Sequence, residues 1–140
     1  MATQRSFMGF GMNPFLAGIL ANTPVLTSVS GATAGAAIQL TAQNRLNIIT
    51  ASNGGSGCKV PPIGGDGGIH LGDEFQVFNA FAAAILVYAD NNAAGSSVVF
   101  WNAGASTAGT TGISVSTAVG VIMYPISASV WLVYKELGSA

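Results

Sequence analysis

From Pro24 onward no part of this chain needs a helix of more than about two turns. Gly, Asn, Ser and Pro cut it into short segments that either alternate or are wholly apolar. Strand candidates are Val25–Ser30, Ala36–Ala42 and Arg45–Ala51. They continue through a short strand that Lys59–Pro62 ends, then Asp73–Phe78, Ala82–Ala89, Ser96–Trp101, Ile113–Val115, Ala118–Tyr124 and Ala128–Lys135. Ser52–Gly57 and Asp90–Gly95 read as turns, and Asn102–Gly112 as a small-residue loop. Asn53-Gly54 is a strong hairpin signal because both residues tolerate positive φ. Many short strands at this spacing predict an all-β fold, an antiparallel β-sandwich or barrel, jelly-roll-like. The expected division is a 1–22 N-terminal apolar arm and a single β-domain over 23–140.

The centre of the expected core is Cys58–Ala89. Phe75, Val77 and Asn79 alternate against Glu74, Gln76 and Phe78, and Ala82–Ala89 is almost wholly apolar. Two strands over so short a connection predict a hairpin. The predicted core residues are Phe75, Val77, Leu86, Tyr88, Phe100 and Trp131, with Phe78, Trp101 and Tyr124 as further anchors.

The 140 residues carry four Lys or Arg and five Asp or Glu, 6% charged, where an ordinary domain has about 25%. So little charge leaves a free monomer poorly protected from association, and implies that partners cover much of the surface. A net charge of −1 provides no basic stripe for nucleic acid and no polybasic segment for an anionic membrane. The charge-free run between Asp90 and Lys135 is long enough to span a bilayer. However, Ser114, Ser116, Thr117, Ser127 and Ser129 alternate with apolar residues there, which is a strand pattern, and Pro125 interrupts it.

Met1 to Asn22 is different in texture. Phe7, Phe10, Phe15, Leu16 and Leu20 are its main apolar residues, and Gly9, Gly11, Pro14 and Gly18 break any long helix. One Arg, an apolar stretch and Ala21 give it the outline of a weak signal peptide. The expectation taken forward is an extended assembly arm that crosses another subunit.

No catalytic constellation emerges. His70 is the one histidine, flanked by Asp66 and Asp73 in a glycine-rich turn, where carboxylates ordinarily bond backbone N–H groups. Asp73 and Glu74 are adjacent, so in a strand they point to opposite faces and make a poor acid-base pair. Gly64-Gly65-Asp66-Gly67-Gly68 lacks the Lys-Ser/Thr and the helix of a phosphate-binding loop. Cys58 has no base beside it to activate it, and one Cys with one His cannot complete a zinc site. The reading is a non-enzyme with no cofactor, no metal and no small-molecule substrate.

From Leu46 onward the order of motifs resembles small β-rich virion proteins of tailed bacteriophages, found as capsid decoration (cement) proteins or as collar and fibre modules. The resemblance lies in Lys59, Pro61 and Pro62 leading into a strand with Val77 and Asn79. Leu86, Val87 and Tyr88 follow, then Trp131 near the end. The chain departs from the pattern at Asp90, where proline is common, and in its apolar arm. The resemblance implies a homotrimer on the capsid surface of the virion that binds the major capsid protein and stabilises the head. The alternative is a tail, collar or fibre-associated module with a receptor- or carbohydrate-binding role, for which Trp101 beside Asn102 is the candidate contact.

Overall fold

The computed structural model describes residues 24–90, 97–102 and 104–136. The expected arm with Phe7, Phe10, Phe15, Leu16 and Leu20 lies outside them. The described residues form eleven strands and no helix, hence none long and apolar enough to cross a membrane. The strands are β1 (Pro24–Val29), β2 (Ile38–Gln39), β3 (Leu46–Ser52), β4 (Gly57–Lys59), β5 (Phe75–Asn79) and β6 (Ile85–Tyr88). They continue as β7 (Val99–Asn102), β8 (Ala105–Ala108), β9 (Ile113–Val115), β10 (Gly120–Ser127) and β11 (Val130–Glu136). One sheet has seven strands in the order β1-β3-β5-β10-β11-β7-β8, and the other has four in the order β2-β4-β6-β9.

Both sheets are mixed and neither closes, which corrects the expected antiparallel, jelly-roll-like pairing. The first six strands alternate between the sheets. β1, β3 and β5 are parallel neighbours in one, and β2, β4 and β6 in the other. The chain therefore winds, adding one strand to each sheet on every pass. Parallel neighbours are necessarily far apart in sequence: Pro24 pairs with Leu46, and Leu46 with Gln76. The second half closes this winding with antiparallel strands, β9 on β6 and β10 on β5, and β11 then pairs with β10.

The corners between passes have local causes. A Cβ at Gly55 would come within 2.3 Å of the Gly31 backbone nitrogen, so two successive corners approach as only glycines allow. Ser30 N–H and Gly57 N–H bond Gly57 and Gly31 carbonyls at 3.1 and 3.0 Å across that contact. The Asn53-Gly54 turn thus forms, but it delivers β4 to the other sheet rather than closing a hairpin.

The expected hairpin between Phe75–Asn79 and Ala82–Ala89 is also corrected, because β5 and β6 belong to different sheets. Ala82, Ala83 and Ala84 are an exposed corner, and the second strand starts only at Ile85. The corner is pinned by Asn79, whose side chain is fully buried. Its Nδ2 donates to the carbonyls of Ala83 and Val115, both at 2.9 Å, and its Oδ1 accepts from Phe81 N–H at 3.0 Å. A hairpin does occur inside the expected loop 102–112. There β7 and β8 pair with Asn102 opposite Ala105, around a turn in which Gly104 takes φ +85°.

One hydrophobic cluster draws on both sheets. Val29, Ile49, Phe75, Val77, Phe100, Met123, Trp131 and Val133 come from the larger, and Cys58, Ile85, Val87, Ile113 and Val115 from the smaller. Phe75 and Trp131 meet edge to face with ring centroids 6.2 Å apart. Tyr88 is buried too, and its hydroxyl donates to the Ala32 carbonyl at 3.2 Å. Leu86, expected in the core, is only half-buried; its neighbours Ile85 and Val87 point inward instead.

Candidate functional site

The candidate binding surface is the face of the seven-stranded sheet turned away from this core. Strand alternation sends Phe75, Val77, Val121, Met123, Trp131 and Val133 inward, so their neighbours must point outward. Apart from Glu74 and Gln76, those neighbours are also apolar. Cross-strand register aligns them in three rows. The first is Ile48, Phe78 and Gly120. The second is Leu46, Gln76, Ile122 and Tyr134. The third is Tyr124, Leu132, Trp101 and Ser106. Phe78, Trp101 and Tyr134 are 37%, 46% and 55% exposed. Phe78, Trp101 and Tyr124 are therefore not core anchors: the first two are exposed and Tyr124 is half-buried on this outer face.

From β3 to β7 the face crosses four strand gaps of about 4.8 Å and extends over about 14 Å of strand, roughly 300 Å². The largest apolar patch on an ordinary monomer is about 300–600 Å² and is often functional. The face is not flat. Where Gly120 offers no side chain opposite Phe78, a hollow of about 230 Å³ opens, lined by Leu46, Ile48, Gln76, Val77, Phe78, Gly120, Val121 and Ile122.

Polar groups at its margin are already engaged. Tyr124 Oη donates to Glu74 at 2.6 Å, and Gln76 Nε2 donates to the same carboxylate. The Glu74 hydrogen bond, with some desolvation and the nearby charge, raises the Tyr124 hydroxyl above its ordinary pKa, so it stays a neutral donor. Tyr124 and Tyr134 also meet edge to face at 6.3 Å. Arg45 Nη2 and Asp73 pair at 2.9 Å, and Lys135 Nζ donates to the Ser114 carbonyl at 2.9 Å, tying β11 to β9. Four of the nine charged side chains, Arg45, Asp73, Glu74 and Lys135, are thus engaged within the fold.

The residues weighed for chemistry do not converge. His70 and Asp66 are exposed on the turn that follows β4, while Asp73 is committed to Arg45. That turn is held by its own backbone, with Gly64 N–H on Ile69 O at 2.8 Å and Ile69 N–H on Pro62 O at 2.9 Å. Cys58 is fully buried, and burial pushes its thiol up to about 12, so it stays protonated and shielded. Among the described residues no three His, Cys, Asp or Glu side chains come together in a way that could hold a metal.

The outer face could have been suspected from β10 and β11. Gly120–Ser127 and Val130–Glu136 carry apolar residues on both alternating sets, as expected of strands covered on both sides. Comparison with protein-family models, curated proteins and solved structures finds no match to this chain.

Proposed function

We propose that this protein is a structural virion component, a capsid decoration (cement) protein that binds the major capsid protein as a homotrimer and stabilises a bacteriophage head. In this reading the two sheets stack as a sandwich that presents the outer face of the larger one, and the N-terminal arm completes the attachment. The observation that supports it most is the apolar outer face, running across five strands of a chain that carries only 6% charged residues. A patch of that size is often functional, and with so little charge to keep copies apart a permanent symmetric assembly would supply cover for it. Its area, roughly 300 Å², is short of the about 800 Å² per partner in a stable interface, so the arm or a second surface must contribute.

A second reading draws on Trp101, which is exposed with Asn102 half-buried beside it. An exposed aromatic next to an amide suits a sugar ring, as in a tail, collar or fibre-associated module with a receptor- or carbohydrate-binding role. Leu132, its neighbour on β11, favours a protein partner instead.

Quantitative mass spectrometry of purified particles separates the two readings. A decoration protein is expected in every particle at a copy number near the capsid's count of trimer sites. A copy number matching only the tail or collar would reject the capsid role.

A further inference from the structure

The hollow over Gly120 fits an occupant that the chain itself carries. We propose that Phe15 of the N-terminal segment docks there within the same molecule, so that residues 1–23 begin by folding back across β3 and β5.

Three observations lead to this. The first is where the segment joins the sheet. It enters at Pro24, which pairs with Leu46, and Leu46 continues through Gln76 to Ile122. The attachment point is therefore level with three residues that line the hollow. The second is reach. The hollow lies two to three strand gaps from β1, about 10–15 Å. Eight residues lie between Phe15 and Pro24, and this stretch can span about 30 Å, so the link closes with slack. A tether this short holds its end at an effective concentration in the millimolar range, which favours the chain's own segment over one from another copy.

The third is shape and chemistry. A dry apolar cavity of about 150 Å³ accepts benzene, so about 230 Å³ between Ile48, Phe78 and Ile122 admits a phenyl ring. Around Phe15 the sequence is Phe15-Leu16-Ala17-Gly18-Ile19-Leu20, with no charge to desolvate. Docking at Phe15 leaves Phe7 and Phe10 further out for contacts beyond the molecule. It also leaves the Tyr124, Leu132 and Trp101 end of the face open. This inference does not depend on what the protein assembles with.

The test is methyl NMR on the full chain. Cross-relaxation from aromatic protons to the Ile48 and Ile122 methyls is expected beyond that from Phe78, and it should persist on dilution. Phe15→Ser should abolish these added cross-peaks, while Phe7→Ser and Phe10→Ser leave them. Gly120→Leu, which fills the hollow, should abolish them as well, with the buried Ile85 and Ile113 methyls reporting that the fold is intact. If Gly120→Leu does not fold, Phe15→Ser decides, since it leaves every described strand unchanged in sequence. In a mixture of methyl-labelled and unlabelled chains, filtered spectra should show no intermolecular cross-peak from Phe15. Absence of the added cross-peaks, their survival in Phe15→Ser, or their appearance only between molecules overturns the proposal; the last outcome makes a second copy's segment the occupant.

Discussion

Trp131→Ala is expected to lower the free energy of unfolding by about 3–5 kcal/mol in denaturant titration. Trp131 is 1% exposed, and it stands at the middle of the larger sheet between Pro125 on β10 and Phe100 on β7. Its ring also meets the edge of Phe75. Truncation removes the largest fully buried side chain of the core and leaves a cavity between elements that three different strand pairings hold in place. Such a site collapses little, so the cost belongs in the upper part of the range for aromatic-to-alanine changes. Trp101→Ala provides the contrast. Its side chain lies on the outer face, and a monomer should lose no more than about 0.5 kcal/mol. A loss below about 1 kcal/mol for Trp131→Ala would mean that the two tryptophans have been assigned to the wrong faces.

Asn79→Ala is expected to cost about 2–4 kcal/mol, nearly as much, although the side chain is small and polar. The amide joins three backbone groups at the corner where the chain leaves β5 for the other sheet. Two of them, Ala83 O and Phe81 N–H, lie on the corner itself, and the third is Val115 O on β9. Val115 is fully buried, so its carbonyl has little access to replacement water. Asn79→Asp is the sharper variant. It keeps the shape but removes both donated bonds and sets a carboxylate against two carbonyl oxygens. It should cost more than alanine at neutral pH. A carboxyl held there is easier to keep protonated than ionised, so its pKa rises on folding and the deficit should shrink as pH falls. Equal stabilities of the two variants at pH 7 would show that the carboxylate meets no repulsion there, and a loss below about 1 kcal/mol for Asn79→Ala would show that the corner does not rely on the donated bonds.

How much of this was legible in the sequence depends on the distance over which each feature is determined. The alternation of Phe75, Val77 and Asn79 is local, and the structure buries all three. The turn at Asn53-Gly54 is local too, as is the strand end before Pro61-Pro62, which the structure places at Lys59. Pairing is not. β1 meets β3 and β3 meets β5 across intervening strands of the other sheet, and no short-range pattern distinguishes that from a series of hairpins. The corner at Ala80–Ala84 was misread because alanine is apolar enough to extend a strand pattern, yet too small to say whether it is buried. Asn79 was assigned to the correct face, but its role was missed; the signal was a polar residue in phase with Phe75 and Val77. The outer face was misread for the opposite reason. Phe78, Trp101 and Tyr124 are large and aromatic, and size alone cannot tell an inward position from an outward one on a sheet whose two faces are both apolar.

The central claim is that the outer face of the seven-stranded sheet is an association surface. Sedimentation equilibrium of the full chain, compared with the double variant Trp101→Ser and Tyr134→Ser, tests it most directly. Both side chains are exposed in the single molecule, so the substitutions should leave the strand circular dichroism close to that of the original chain. The account predicts a trimer for the original chain and a folded monomer for the double variant. A monomer for the original chain across the accessible concentration range, or a double variant that remains a trimer, would contradict it.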